Sequence, residues 1–155
     1  LNKDALVIEA ESVLSVDKPG LIKGRKVLVI EDAPTVTHGG LGYGAGYIAA
    51  KTYGAKEIVN PKPYAIGSIK ETFDRHPHVG PVLPAMGYGK NQIKDLEETI
   101  NRVPCDVVVL GTLADLTRIM NIKKPAVKVS YELKELSKPS LEDVVEMFLK
   151  GEFKR

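Results

Sequence analysis

A run of polar side chains and glycines follows the first long apolar segment of the sequence. The apolar segment is residues 26–30, and residues 31–46 after it hold two carboxylates, two threonines, a histidine and five glycines. Glycines let a backbone approach an anion closely, and the start of a helix offers free N–H groups with partial positive charge. This combination predicts a phosphate site, whose expected residues are Thr35, Thr37, Gly39, Gly40 and Gly44.

Three residues of this run are candidates for catalysis. Glu31 and Asp32 end the apolar segment, and a carboxylate in that position can hold Mg²⁺ directly or through water, with Asp32 the candidate ligand. His38 can serve as a general acid or as a donor to phosphate near neutral pH. The alternatives are structural: a carboxylate that caps the turn or accepts backbone N–H groups, and a histidine satisfied within the fold.

A second loop carries Ser68 and Lys70. Ser68, with Glu71 three residues later, predicts a capping box at the start of a helix. Lys70 in the first turn of that helix opposes the helix dipole, and a bound anion would compensate for this placement. An ordinary solvated lysine is the alternative.

A third loop follows a β-branched segment at residues 106–110. Its candidate ligand residues are Thr112 and, one turn later, Arg118. The alternative is a capping arrangement between Thr112 and Asp115.

Strands and helices alternate along the sequence, which predicts a doubly wound, Rossmann-like α/β fold with a mostly parallel sheet and helices on both faces. One domain is expected over residues 1–155. The turns from strand to helix then lie at the carboxyl edge of the sheet, where such folds bind ligands. Strands are predicted at residues 5–9, 26–30, 56–59, 80–83, 106–110 and 126–131, and the last is expected to be an edge strand. Helices are predicted after residue 44, at residues 68–75, 93–103 and 112–120, and after Ser140. The last helix is expected to bury Leu141, Val144, Val145 and Phe148.

Composition limits the classes of function. The net charge of +2, from 22 basic and 20 acidic residues, gives no reason to expect nucleic acid or an anionic membrane as a partner. The single cysteine, Cys105, excludes an internal disulfide framework and fits the cytoplasm, and one cysteine with three scattered histidines predicts no zinc cluster. The absence of Trp, the ten prolines and the abundant Lys and Glu favour a thermophilic source.

Five blocks of the sequence carry a likeness to known proteins: residues 27–40, 44–47, 63–73, 83–88 and 95–101. In these blocks the sequence resembles a family of archaeal and bacterial proteins described as predicted GTPases or as cyclic 2,3-diphosphoglycerate synthetase-like proteins. Members of that family are longer, and their nucleotide-binding signatures precede the matched region. This sequence has no Walker A lysine and no Asn-Lys-x-Asp motif, so the resemblance implies a C-terminal domain without the P-loop region.

The resemblance implies that the full-length protein uses a nucleoside triphosphate and Mg²⁺ for phosphoryl transfer or GTP hydrolysis, while this chain alone is inactive. Its expected partners are a phosphorylated small molecule bound at residues 31–46, the P-loop region of the same protein and further copies of itself. The alternative is a non-catalytic dimerisation or interdomain module. In that case Tyr43, Tyr47 and Tyr53 would form the interface.

Overall fold

The structure is a computed structural model of the 155-residue chain, and it describes residue 3, residues 5–87 and residues 89–152. Strands and helices alternate as the sequence predicts. The strands are β1 (Ala10–Val16), β2 (Lys26–Asp32), β3 (Glu57–Ile58), β4 (Leu83–Ala85), β5 (Val107–Gly111) and β6 (Ala126–Glu135). The helices are α1 (Ala33–Thr37), α2 (Ala45–Thr52), α3 (Gly67–Arg75), α4 (Lys90–Arg102), α5 (Leu116–Ile119) and α6 (Leu141–Leu149).

The strands form one sheet in the order β1-β6-β5-β2-β3. Strand β4 also pairs with β2, along residues 30–32, whereas β3 pairs with residues 26 and 27 of β2. The pairs that β2 makes with β3, β4 and β5, and that β5 makes with β6, are all parallel. The register places Glu31 of β2 opposite Gly111 of β5. The predicted α/β class with a mostly parallel sheet is therefore confirmed.

The described residues divide into two compact units. The larger unit, Leu14–Ser130, has its core at β2 and β5, because parallel strands with a neighbour on each side read as continuous apolar runs. The side chains of Val27, Leu28, Val29 and Ile30 are fully buried, as is Val109 of β5. Small side chains on α2 let that helix lie close against these strands.

The smaller unit combines the residues before Leu14 with those after Ser130. Its helix α6 begins as predicted, since Ser140 accepts a hydrogen bond from the backbone N–H of Asp143 at 3.1 Å. The predicted burial of its apolar residues is wrong, because Leu141 is 54% exposed and Phe148 is 70% exposed. Helical spacing identifies an apolar face but does not determine what covers it.

Two strand predictions are also wrong. Residues 5–9 lie outside any strand, and β1 begins at Ala10 instead. The alternating residues 126–131 belong to a longer strand, β6, which lies between β1 and β5 rather than at an edge of the sheet. Alternation reports that one face is exposed, which a strand with two neighbours also satisfies. In the described part of the chain, no helix has the length and apolar character needed to cross a membrane.

Candidate functional site

The sheet changes its winding direction at β2. From β2 the chain forms β3 and β4 on one side, and then crosses to form β5 on the other side. Open α/β sheets bind ligands at such a switch point, beyond the carboxyl ends of the strands. The structure therefore brings the ends of β2 and β5 together at the location where a ligand site is expected.

Glu31 lies at this edge with its carboxylate turned inward, and only 1% of the residue is exposed. The carboxylate accepts hydrogen bonds from the backbone N–H groups of Gly44 at 3.1 Å, Gly46 at 3.2 Å and Tyr47 at 2.8 Å. These amides surround the start of α2, where no residue of the helix can accept their hydrogen bonds. Glu31 thus occupies the position at the helix N-terminus that the sequence analysis assigned to a phosphate.

Two glycines make this arrangement possible. A Cβ atom added to Gly111 would overlap the Glu31 carboxylate and would lie 2.7 Å from the backbone nitrogen of Gly46. A Cβ atom added to Gly46 would lie 3.0 Å from Val29 and 3.1 Å from the Cα of Gly111. The N-terminus of α2 therefore packs directly against the end of β5, with Glu31 enclosed between them.

The environment of Glu31 raises the pKa of its carboxyl group. Burial is the main cause, because it disfavours the charged form, and the nearby charge of Asp32 acts in the same direction. The three backbone hydrogen bonds oppose this shift by stabilising the carboxylate. The group is therefore a structural acceptor whose charge is only partly compensated by its surroundings.

Asp32, the next residue, has a different role because its carboxylate is only partly buried. One oxygen accepts a hydrogen bond of 2.5 Å from the hydroxyl of Thr112, which follows β5. The same hydroxyl accepts a hydrogen bond from the backbone N–H of Ala114 at 3.2 Å. Thr112 therefore links the loops after β2 and β5, and it leaves the second oxygen of Asp32 without a partner among the described residues.

A cavity of about 130 Å³ opens beside Asp32 and Thr112. Most of its wall is apolar and comes from the loop after β4, from α4 and from α5. A site with an apolar wall and few polar groups is the usual form of a small-molecule pocket. The apolar side chains that line it include Pro34, Met86, Leu96, Leu116, Ile119 and Met120.

The candidate phosphate residues before α2 take separate positions. Residues 33–37 form the short helix α1, which the sequence analysis treated as part of a loop. Thr35 is half-buried on this helix, and Thr37 donates its hydroxyl hydrogen to the carbonyl of Ala33 at 2.7 Å. Gly39 donates its N–H to the carbonyl of Pro34 at 3.1 Å, while Gly40 is exposed with a φ of +68°.

The predicted capping box at Ser68 is wrong. Helix α3 begins at Gly67, and both the N–H and the hydroxyl of Ser68 donate to the carboxylate of Asp95 on α4, at 2.9 and 2.8 Å. These hydrogen bonds lower the pKa of Asp95. The carboxylate of Asp95, 27 residues away in sequence, therefore replaces the local cap. Lys70, the fourth residue of α3, is exposed.

Thr112 and Asp115 do not cap a helix together. Helix α5 begins at Leu116, and Asp115 accepts hydrogen bonds from Lys128 at 2.7 Å and from Thr117. These two contacts lower the pKa of Asp115 to about 2. Arg118, whose side chain is 83% exposed, also pairs with Asp115 at 3.1 Å, so its guanidinium contacts the carboxylate that directly precedes α5.

The structure brings together the three histidines that the sequence analysis regarded as scattered. The ring centroids of His38 and His76 are 6.5 Å apart, and those of His76 and His78 are 5.9 Å apart. The pattern His-Pro-His directly after a helix was the available signal, but His38 is distant in sequence. Among the described residues no three His, Cys, Asp or Glu side chains are placed to hold a metal ion.

The candidate residues thus form three groups. Glu31 contacts Gly44, Asp32 contacts Thr112, and Thr37 contacts His38 at 2.9 Å. The remaining candidates have other partners or face solvent, and this applies to Ser68, Lys70 and Arg118.

Comparison with known proteins identifies one informative relative. The chain is 61% identical over 151 residues to the arginine synthetase ArcE of Thermococcus kodakarensis. The aligned region covers 97% of this chain and 34% of the relative, so the chain spans about a third of the length of the curated relative it matches. No family model matches the sequence, and no solved structure matches it significantly. The chain is therefore similar to one part of an enzyme named as a synthetase.

Proposed function

We propose that this chain is the substrate-holding α/β domain of a larger synthetase, and that its substrate is an amino acid with a guanidinium or ureido group. The observation that supports this most directly is the cavity at the switch point of the sheet, where Asp32 and Thr112 stand at an otherwise apolar wall. The name of the similar enzyme, arginine synthetase, supports the choice of amino acid.

The chemistry of the cavity fits such a substrate. Its volume of about 130 Å³ is several times the space that one water molecule needs, which suits a short aliphatic arm. The second oxygen of Asp32, which has no hydrogen-bond partner in the part of the chain that the structure describes, can accept from the N–H groups of a guanidinium, a ureido group or an ammonium. The apolar wall would hold the methylene groups, and the Thr112 hydroxyl fixes the orientation of the carboxylate.

The nucleotide and the metal ion fit this chain only in part. Mg²⁺ commonly binds through one or two carboxylates together with substrate phosphates and water, and Asp32 could supply one oxygen. Glu31 is engaged by three amides and is not available as a second ligand. We propose that the remainder of a longer protein holds the nucleoside triphosphate. Its γ-phosphoryl group would pass to the ureido oxygen of the substrate and leave the nucleoside diphosphate, and a nitrogen nucleophile would then displace that oxygen as inorganic phosphate.

The phosphorylated ligand expected at residues 31–46 is not favoured at the start of α2, because Glu31 already accepts those amides. The GTPase-like and cyclic 2,3-diphosphoglycerate synthetase-like activities remain predictions from resemblance. The non-catalytic alternative has one observation in its favour. Tyr43 is 49% exposed, and its ring lies 4.6 Å from that of Tyr47, a pair that suits an interface.

The test is to measure thermal unfolding of the 155-residue chain with L-arginine, L-citrulline, L-ornithine and inorganic phosphate. A ligand that binds only the native state stabilises it, by about 2.7 kcal/mol at a concentration of about 100 times Kd. We expect stabilisation by arginine or citrulline that Asp32→Asn abolishes. Asp74→Asn, which changes an exposed carboxylate on α3, is the matched control and should keep the full shift.

No stabilisation by any of the amino acids, or an equal shift in Asp32→Asn, would overturn the proposal. The interface alternative would instead be supported by a dimer in sedimentation experiments that Tyr43→Ala dissociates, with no amino acid bound at millimolar concentration.

A further inference from the structure

The three histidines of the chain form a cluster that the proposed amino-acid cavity does not use. His38 ends α1, whereas His76 and His78 follow α3. None of the three lines the cavity. The described residues bring all the imidazole groups of the chain into one row, with neighbouring rings 6.5 and 5.9 Å apart. The proximity of all three imidazoles suggests that they share a chemical role.

The hydrogen-bond network assigns the tautomer of two of these rings. Thr37 has a single hydroxyl hydrogen, which it donates to the carbonyl of Ala33, so its oxygen accepts from Nδ1 of His38 at 2.9 Å. Nε2 of His78 lies 2.9 Å from the carbonyl of Val36, which can only accept, so Nε2 carries the hydrogen. The opposite nitrogens, Nε2 of His38 and Nδ1 of His78, are left without a partner among the described residues.

The backbone holds the two loops of the cluster together. The N–H of Gly80 donates to the carbonyl of Gly42 at 2.7 Å, and His78 contacts the carbonyl of Val36 in α1. The cluster is therefore held by one backbone hydrogen bond between the two loops and by the imidazole of His78, which is fixed to α1.

Two cationic side chains and one carboxylate, that of the exposed Asp74 of α3, lie on the segments next to the cluster. The ammonium of Lys62 lies 3.2 Å from the carbonyl of Pro77, between His76 and His78, and Arg75 ends α3. No hydrogen bond or ion pair joins any of the three imidazoles to a carboxylate in the described part of the chain. On protonation each ring gains a second N–H donor and a positive charge, and these charges repel one another unless an anion lies between them.

We infer that His38, His76 and His78 form a subsite for an oxyanion group, a phosphate or a carboxylate, of a small-molecule ligand. The unpartnered nitrogens of His38 and His78, and the ring of His76, which makes no hydrogen bond among the described residues, offer charged donors when protonated. The ammonium of Lys62, bound to the carbonyl of Pro77, adds a positive charge beside His76 and His78. An oxyanion can accept several such donors at once. This subsite lies outside the start of α2, where Glu31 has replaced an external anion.

The experiment follows the imidazole nitrogen signals of the 155-residue chain by NMR during titration with inorganic phosphate and, separately, with acetate. The titrations are made at about pH 6 and about pH 8, on either side of the range in which imidazole changes charge. We expect one of these anions to shift all three sets of signals with a single Kd, and to bind more tightly at the lower pH. The anion that binds more tightly identifies the group as phosphate or carboxylate.

Two variants make the result specific. His76→Gln should weaken binding about tenfold or more, because it removes a charged donor. The ring of His76 has no hydrogen bond among the described residues, so this variant should fold normally. Lys56→Gln, which removes an exposed lysine just before β3, should leave Kd unchanged.

Imidazole signals that do not respond to either anion would overturn the inference, as would an unchanged Kd in His76→Gln. Asp32→Asn separates this inference from the proposed function. It should abolish stabilisation by the amino acid and leave the anion titration intact, so each can fail without the other.

Discussion

Glu31 and Asp32 are adjacent carboxylates at the same edge of the sheet, yet their surroundings give them opposite roles. Glu31 is enclosed and accepts three backbone N–H groups, whereas Asp32 faces a cavity and has one oxygen that no described residue contacts by a hydrogen bond. Successive residues of a strand point to opposite faces, which separates the two side chains. The first is therefore expected to support folding, and the second to support ligand binding.

The largest effect should come from removing the enclosed acceptor. Glu31→Leu leaves the N–H groups of Gly44, Gly46 and Tyr47 without their partner. We expect the free energy of unfolding to fall by about 4 kcal/mol, since each unsatisfied buried group costs about 1–3 kcal/mol. Urea denaturation measures the change. Glu31→Gln keeps one oxygen acceptor and should lose clearly less, and equal losses in the two variants would contradict this account.

A smaller loss is expected from disturbing the close approach of α2 to β5. Gly111→Ala inserts a methyl group against the Glu31 carboxylate and the backbone of Gly46. The strain should lower the free energy of unfolding by about 2–3 kcal/mol, the usual range for overpacked sites. Gly20→Ala is the control, because a Cβ there meets no atom within 4 Å. Equal stability of Gly111→Ala and the unchanged chain would argue against the packing described.

The role of the Asp32 carboxylate can be tested by changing Thr112, whose hydroxyl orients it. Thr112→Val removes the hydroxyl that donates to Asp32 and accepts from Ala114. We expect a loss of about 1 kcal/mol in stability, typical of one hydrogen bond. Isothermal titration with the amino acid that stabilises the chain should show a weaker affinity, because Asp32 is no longer held in place. Thr112→Ser keeps the hydroxyl and should retain the affinity; weakening in both variants would contradict an orienting role.

The smallest expected effect is a dependence of stability on pH, which has opposite directions for the carboxylates of Asp115 and Glu31. The contacts with Lys128 and Thr117 lower the pKa of Asp115 to about 2, so its contribution to stability is present above its unfolded pKa and is lost as pH falls toward about 2. The contribution of Glu31 to stability changes with pH in the opposite direction. Its raised pKa gives a contribution that is present below its unfolded pKa and is lost as pH rises through the folded value.

Denaturation of the unchanged chain and of Asp115→Asn should therefore show a stability difference that is constant near neutral pH and shrinks on acidification between about pH 4 and pH 2. Asp74→Asn should show no comparable trend. A difference that persists unchanged at the acid end would mean that the contact with Lys128 is not the source.

The sequence was most informative where neighbouring residues determine the structure. The apolar runs of β2 and β5 are buried strands, and Ser140 caps α6, because these features depend on residues close in sequence. The sequence was least informative where a distant residue supplies the partner. Asp95 replaces the local cap at Ser68, and β1 beside β6 removes β6 from the edge of the sheet.

The candidate site follows the same rule. The alternation of strands and helices predicted that the loops after β2 and β5 lie at the same edge of the sheet, as they do, and Asp32 and Thr112 were predicted as separate candidates on these loops. It could not show that they contact each other, nor which of the two possible roles Glu31 takes. The histidine cluster was missed because it forms across about forty residues, and spacing in sequence does not report such proximity.

The enclosed carboxylate also has a consequence for motion. Amides in the first turn of a helix usually exchange rapidly with solvent, because they have no partner within the helix. Those of Gly46 and Tyr47 are held by Glu31, so they should exchange as slowly as the sheet beside them. The start of α2, beside the ends of β2 and β5, is then expected to be ordered before any ligand arrives. A substrate would meet a rigid edge and would not lose affinity by having to order it.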